Sequence, residues 1–309
     1  MDLFLSAPHG YKRLFDMDLY LAGTTGRPYV ITDMDLYLVS TNTLHGLCHE
    51  KPVDPGRQEL TQPGLYILES FYYIEDWMLE PIDKKTWNFM LDSGAFTFME
   101  QKASGVKSAI DSDSMRWDDY VRRYADFIIE HDIDLFFELD IDVVVGLDRV
   151  NKLRDALETQ TGKRSIPVWH KSRGLENWKQ LVKDYEYVAI GGIVSGEIKR
   201  HEHKFLHAMC DIAHAERTRV HGLGVSPMAG NALRNYRFDS VDSTNWTMGG
   251  RAGHLEIFTG TGLRKVPRPD GTRMRPRETA IHNFREWVKY QRYMKHAGWQ
   301  MTTSQDGIA

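Results

Sequence analysis

The sequence predicts an α/β protein built on a (β/α)8 TIM barrel, and three observations predict it. Eight short apolar segments of strand type recur along the chain, helical patterns stand between several of them, and no Gly/Ser/Pro run long enough to be a linker interrupts the alternation. A doubly wound open sheet would give a similar pattern and is the alternative. The 309 residues suffice to bury a large core, so the chain is read as one barrel domain over 1–309. Its 41% hydrophobic and 27% charged residues exclude disordered or collagen-like chains. No apolar run approaches the roughly 20 residues of a membrane span, and Met1-Asp-Leu-Phe-Leu lacks a basic leader. The expectation is a cytoplasmic protein with no membrane partner. Two cysteines, Cys48 and Cys210, provide neither a disulfide framework nor a four-cysteine zinc site.

Taken in order, the chain opens with a repeat. Met1-Asp-Leu-Phe-Leu-Ser, Met17-Asp-Leu-Tyr-Leu-Ala and Met34-Asp-Leu-Tyr-Leu-Val recur at spacings of 16 and 17. Each is an alternating, strand-like stretch followed by polar turn residues. Three short copies do not make a solenoid. One copy is read as the first core strand and residues 1–33 as an N-terminal strand extension. Strands are then expected at 36–39, 66–70, 88–92, 134–140, 166–170, 187–191, 220–225 and 240–244, and helices at 117–131, 150–159, 175–184 and 199–215.

Residues 254–309 form a basic C-terminal loop and helix. Between 261 and 300 ten Lys/Arg face three acids, a local +7, so the rest of this −4 chain carries −11. The loop Val266-Pro-Arg-Pro-Asp-Gly-Thr-Arg-Met-Arg-Pro-Arg277 is rich in Pro and Arg. After it Phe284, Trp287, Tyr290 and Tyr293 alternate with Arg285, Lys289 and Arg292. The aromatics suit packing of the last helix, and the arginines suit phosphate contacts. A solvated helix face is the plainer alternative.

In a (β/α)8 barrel the chemistry sits at the carboxyl ends of the strands. Those ends read Glu69-Ser-Phe-Tyr, Asp92-Ser-Gly-Ala-Phe, Asp140-Ile-Asp142, His170-Lys-Ser, Gly191-Gly-Ile-Val-Ser-Gly-Glu197, Gly222-Leu-Gly-Val and Asp242-Ser-Thr. Acids at three or more ends point to carboxylate chemistry. One carboxylate attacks an anomeric carbon while another moves a proton on and off the leaving group. Caps for the following helices are the alternative use of such acids.

Asp92-Ser-Gly-Ala-Phe-Thr, Asp134-Leu-Phe-Phe-Glu-Leu-Asp140, Ala189-Ile-Gly-Gly-Ile-Val-Ser-Gly-Glu197, Gly222-Leu-Gly-Val and Asp242…Gly250-Arg-Ala-Gly253 follow one another over roughly residues 60–260. In that order they resemble the signatures of the tRNA-guanine transglycosylase superfamily. The resemblance implies an enzyme that exchanges guanine in a polynucleotide for a free 7-deazaguanine base, a glycosyltransferase without an organic cofactor. By position it implies Asp242 as nucleophile and Asp92 as general acid/base. Asp140 matches the acid that reads the guanine N1/N2 edge. Gly191, Gly192 and Ile193 match a loop whose amides approach the base, and Phe96 with Leu223 match the pair that sandwiches it. Ser93, Glu197 and Gly224 complete the expected pocket wall. The strand after Ile166 should supply another base contact, between His170 and Lys171.

These roles make chemical sense: a carboxylate accepts from two adjacent N–H groups of guanine, which adenine lacks, and stacking on an aromatic is worth roughly 1–3 kcal/mol. The chain departs from the tRNA enzymes in having no Cys-x-Cys-x-x-Cys run, so no zinc-binding subdomain and no metal are expected. His201, His203, His207 and His214 offer only a remote possibility of a metal site. Compactness, lack of zinc and the element Gly64-Leu-Tyr-Ile-Leu-Glu-Ser-Phe-Tyr73 resemble the phage-type DNA 7-deazaguanine transglycosylases. The expected partner is therefore DNA, with Arg251, Arg268, Arg273, Arg275 and Arg277 against its phosphates and a preQ0-type base as co-substrate. The alternatives are a zinc-free tRNA enzyme, a non-catalytic nucleic-acid-binding barrel and a metal-dependent (β/α)8 hydrolase.

Overall fold

The computed structural model describes residues 34–39, 41, 59–94, 117–225, 236–247, 254–267 and 276–296. The expected extension at 1–33 lies outside them. Seven strands, β1 (Asp35–Val39), β2 (Leu65–Ser70), β3 (Trp87–Asp92), β4 (Val168–Trp169), β5 (Tyr187–Ile190), β6 (Arg219–Gly222) and β7 (Ser240–Ser243), form one curled sheet in the order β3-β2-β1-β7-β6-β5-β4. Every pairing within it is parallel. The third copy of the N-terminal repeat is β1.

Both faces of this sheet are covered, which is why its strands are nearly continuously apolar. Tyr37, Leu68, Met90, Phe137, Ile166, Val168, Tyr187 and Ala189 form one buried cluster on the concave face. Leu36, Leu38, Ile67, Leu91, Val188, Ile190 and Val220 belong to the larger cluster shared with the helices. Alternate residues of each strand thus serve different layers.

The helices are α1 (Asp76–Asp83), α2 (Trp117–Glu130), α3 (Asp142–Val145), α4 (Leu147–Thr161), α5 (Gly174–Asp184), α6 (Lys204–Ala215) and α7 (Pro276–His296). In α2 the buried stripe is Trp117, Tyr120, Val121, Tyr124, Ala125 and Ile128, the three- and four-residue spacing that keeps one helix face on a sheet. In α7 Phe284, Trp287, Tyr290 and Met294 are buried, so the aromatics of the basic segment do pack the helix. Its Gln291 donates from Nε2 to the carbonyls of Leu36 and Tyr66, each at 2.8 Å, and accepts from Tyr66 N–H at 3.2 Å. That buried amide ties α7 to β1 and β2 without leaving a polar group unpaired.

Three expectations need correction. The strand at 134–140 is reduced to two isolated parallel bridges, Leu91 with Phe136 and Phe137 with Ile166. The buried Glu138 that follows accepts from Val168 N–H at 2.9 Å with its side chain, an alternative to a regular ladder. The helix at 199–215 is broken at His203 into a 3-10 turn, Arg200–Glu202, and α6. Finally, the basic segment, expected as loop up to its last helix, contains an antiparallel hairpin, β8 (His254–Phe258) and β9 (Leu263–Pro267). Among the described residues no helix is long and apolar enough to cross a membrane.

Candidate active site at the carboxyl ends of the strands

Strand periodicity positions the site. Counting two residues on from the concave-face residues Met90, Val168 and Ala189 gives Asp92, His170 and Gly191, and from His221 and Ser240 it gives Leu223 and Asp242. The same alternation that fills the concave face with apolar side chains therefore delivers a ring of polar ones at its carboxyl edge.

Asp92 ends β3, where Gly94 N–H donates to its Oδ2 at 2.9 Å. Gly94 has φ +76°, and a Cβ there would lie 2.8 Å from Ser70 Oγ and 2.9 Å from Tyr72 Cβ, so the turn requires glycine. Loss of hydration pushes the Asp92 pKa up to about 6 against the Gly94 bond, and the negative charges of Asp242 and Asp140 push it the same way. Asp92, Asp140 and Asp242 thus share one electrostatic environment. Ser93 Oγ is buried and without a hydrogen-bond partner among the described residues. The carbonyl of Ser93 accepts from Tyr120 O–H at 2.5 Å.

Asp242 lies on β7 in register with Tyr37 of β1 and is 8% exposed. Its Oδ1 accepts from Gly224 N–H at 2.7 Å and lies 3.1 Å from His221 Nε2. Asp140 is held differently. His170 Nε2 lies 2.7 Å from its Oδ2, and Arg173 Nη2 lies 3.2 Å from its Oδ1. The other His170 nitrogen, Nδ1, is 3.0 Å from Oε2 of Glu197, whose Oε1 accepts from Ser172 N–H at 2.7 Å. Burial opposes a charge on His170, but its bonds to Asp140 and Glu197 override burial and raise the pKa to about 10. The same His170 contact, partly offset by desolvation, lowers Glu197 to about 2.

Of the expected pocket residues, Ser93, Asp140, Glu197 and Leu223 lie at this edge with the two catalytic candidates. The expectation for the Gly191 amide is corrected. The Gly191 N–H is spent on the Trp169 carbonyl at 2.9 Å as the ladder continues past β5, and the Gly224 N–H is spent on Asp242. Neither amide is free for a base. Gly192 and Ile193 amides have no partner among the described residues. Gly192 has φ +81°, and a Cβ there would be 2.7 Å from Glu197 Oε2. Phe96, Arg251, Arg268, Arg273 and Arg275 lie outside the described residues, and Arg277 is placed only as a backbone position in α7. The other basic residues of α7 are engaged: Arg285 with Glu59, Lys289 with Glu286 and Lys295 with Asp35 in ion pairs, Arg292 with Gln62. Arg264 and Lys265, exposed on β9, have no ion-pair partner among the described residues.

Sequence reasoning left His170 open and missed Arg173 and His221. The signal for both histidines was present, since each falls on the concave-face alternation of its strand. Arg173 carried no such signal: it ends a 3-10 turn, Lys171–Arg173, and reaches back to Glu138, Asp140 and Asp142 at 3.0, 3.2 and 2.8 Å. Ligand atoms of Asp140, Asp142 and His170 lie within 4.8 Å of one another, spacing a cation could use. The Arg173 guanidinium already contacts both carboxylates, so this cluster has its positive charge. In the four-histidine stretch, His214 pairs with Asp239 at 2.9 Å and His203 with Tyr236 at 3.2 Å.

No protein-family model and no curated protein matches the chain. Among solved structures, it overlays on a "putative fructose-1,6-biphosphate aldolase" from Coccidioides immitis at 12% identity and TM-score 0.49, covering 85% of this chain and 89% of that one. It also overlays on the carboxyl transferase domain of Rhizobium etli pyruvate carboxylase with 3-hydroxypyruvate, at 13% identity and TM-score 0.39, covering 86% of this chain and 48% of that one. Likenesses of this size carry no information about activity.

Proposed function

We propose that this protein is a guanine transglycosylase that replaces guanine in DNA with a 7-deazaguanine base, preQ0-type, through a glycosyl ester on Asp242. The observation that carries the reading is the placement of Asp92 and Asp242 at the carboxyl ends of β3 and β7, with Asp140 after the Phe136–Phe137 segment, each with different partners. The barrel it implies is a closed ring of eight, with the Phe136–Phe137 segment as its fourth member; the bridges from Leu91 and to Ile166 support that closure.

In the first half-reaction a lone pair of the Asp242 carboxylate bonds to C1′ of the target nucleoside. The C1′–N9 bond breaks with its electron pair going to the purine, and Asp92 protonates the departing guanine. In the second, Asp92 takes the N9 proton of the incoming 7-deazaguanine, N9 bonds to C1′, and Asp242 leaves as carboxylate. A pKa of about 6 suits a group that must serve as acid and then as base near neutrality. Asp140, fixed by His170 and Arg173, would accept from the N1–H and N2–H edge. The target base must leave its stack to reach a pocket at the strand ends.

The test is base exchange with labelled 7-deazaguanine and either DNA or tRNA. Label in DNA supports the reading, label in tRNA alone replaces it with the tRNA enzyme, and label in neither leaves a non-catalytic barrel. Asp242→Ala should abolish incorporation and the covalent protein–polymer adduct, and unchanged turnover would remove Asp242 from its role.

A further inference from the structure

Behind Asp242 runs a line of buried polar side chains that the exchange chemistry above does not use. His221, wholly buried on β6, sits with Nε2 3.1 Å from Asp242 Oδ1 and Nδ1 2.5 Å from Ser240 Oγ. Ser240, also wholly buried, is hydrogen-bonded in turn to the hydroxyl of Tyr187 on β5. Tyr37 and Phe137 pack edge-on against the imidazole at centroid distances of 6.0 and 5.3 Å.

The donors can be assigned from chemistry. A carboxylate only accepts, so Nε2 carries the proton; with Nδ1 as acceptor, the Ser240 hydroxyl donates to it and accepts from Tyr187. Burial holds the Tyr187 phenol well above its ordinary pKa, so it remains a donor. All three bonds point toward Asp242. With Gly224 N–H also on Oδ1, that oxygen has two N–H donors, whereas no bond to Oδ2 is made by any described residue.

We infer that His221 is the positioning residue of the nucleophile, that the Tyr187–Ser240 pair locks it as the Nε2–H tautomer, and that Asp242 Oδ2 is the oxygen that bonds to C1′. This rests on the transglycosylase reading and extends it. On attack, Oδ2 becomes the ester oxygen and Oδ1 the ester carbonyl, still held by both N–H groups. When the incoming base displaces Asp242, the electron pair returns to a carboxylate whose Oδ1 those donors already stabilise. No net proton moves along the chain.

The experiment compares the intact protein with His221→Phe, His221→Gln and Ser240→Ala in the exchange assay, with circular dichroism as a check on folding and denaturing gels to measure the covalent adduct. His221→Phe should lower kcat roughly 100-fold, leave KM for the polymer within about twofold, and let the adduct accumulate. His221→Gln, which keeps an N–H donor, should recover much of the rate. Equal turnover in intact protein and His221→Phe overturns the inference while leaving the reaction intact. No exchange by the intact protein overturns the reaction and the inference together. Nitrogen-15 NMR of the imidazole in the intact protein decides the tautomer even if His221→Phe fails to fold: protonation at Nε2 alone is expected, and a proton on Nδ1 overturns the assignment.

Discussion

His170 bridges Asp140 and Glu197, with Nε2 2.7 Å from one carboxylate and Nδ1 3.0 Å from the other. Such an imidazole is a cation clamped between two anions, and the pair of contacts closes β4 and the loop after β5 around the Asp140 carboxylate. Asp140 keeps an orientation in which further lone pairs remain for a donor edge.

This clamp makes stability depend on pH. The folded pKa of His170, about 10, lies above its unfolded value near 6.5, so its contribution is complete below the unfolded value and is lost as pH rises through 10. Glu197, lowered to about 2, contributes above its unfolded value near 4.5 and loses that contribution as pH falls toward 2. The difference in urea-unfolding stability between the parent protein and His170→Gln should be greatest between about pH 5 and 7. It should decline by on the order of 2 kcal/mol toward pH 10. His170→Gln should flatten the alkaline limb.

Asp92 should share the sign of His170, at a lower pH. Its pKa is raised, so the folded state is favoured while the group is protonated and loses that advantage as pH rises through 6. Asp92→Asn should therefore abolish exchange yet stabilise the protein at pH 8 by about 1–3 kcal/mol, with little effect at pH 4. Thermal unfolding at the two pH values checks the sign, and equal Tm changes would contradict the burial argument.

Gly192→Ala should strike the clamp from its other side. The residue has φ +81°, and the new methyl would lie 2.7 Å from Glu197 Oε2. The expected cost is about 1–3 kcal/mol from backbone strain and displaced carboxylate. An NMR titration should find the His170 pKa lower than in the parent protein, since one of its two anions has been pushed away.

Binding to DNA should weaken steeply with salt, because Arg268, Arg273, Arg275 and Arg277 stand within ten residues of one another in the segment 261–300, which carries +7. Changing Arg273 and Arg275 to Ala should reduce the slope of log K against log salt by roughly 2. A slope that is already flat in the intact protein would remove the phosphate role from this segment. The four Lys and Arg side chains of α7 with partners inside the protein should matter less.

The sequence alone determined the alternation of strand and helix and the carboxylates at the strand ends. Hydrophobic periodicity is a local property, and it put Asp92 and Asp242 at strand ends. It also marked the aromatic face of α7. What only the tertiary structure decided is which polar atoms meet. Gly191 looked like an open amide, but the ladder takes it. His170 and His221 are a single residue type on the concave-face alternation of their strands, yet one lies between two carboxylates and the other between a hydroxyl and the candidate nucleophile. Arg173 reaches three acids from 31 to 35 residues away. Hydrogen bonds and charge pairs depend on distances of a few tenths of an ångström between elements far apart in the chain, and no local pattern encodes them.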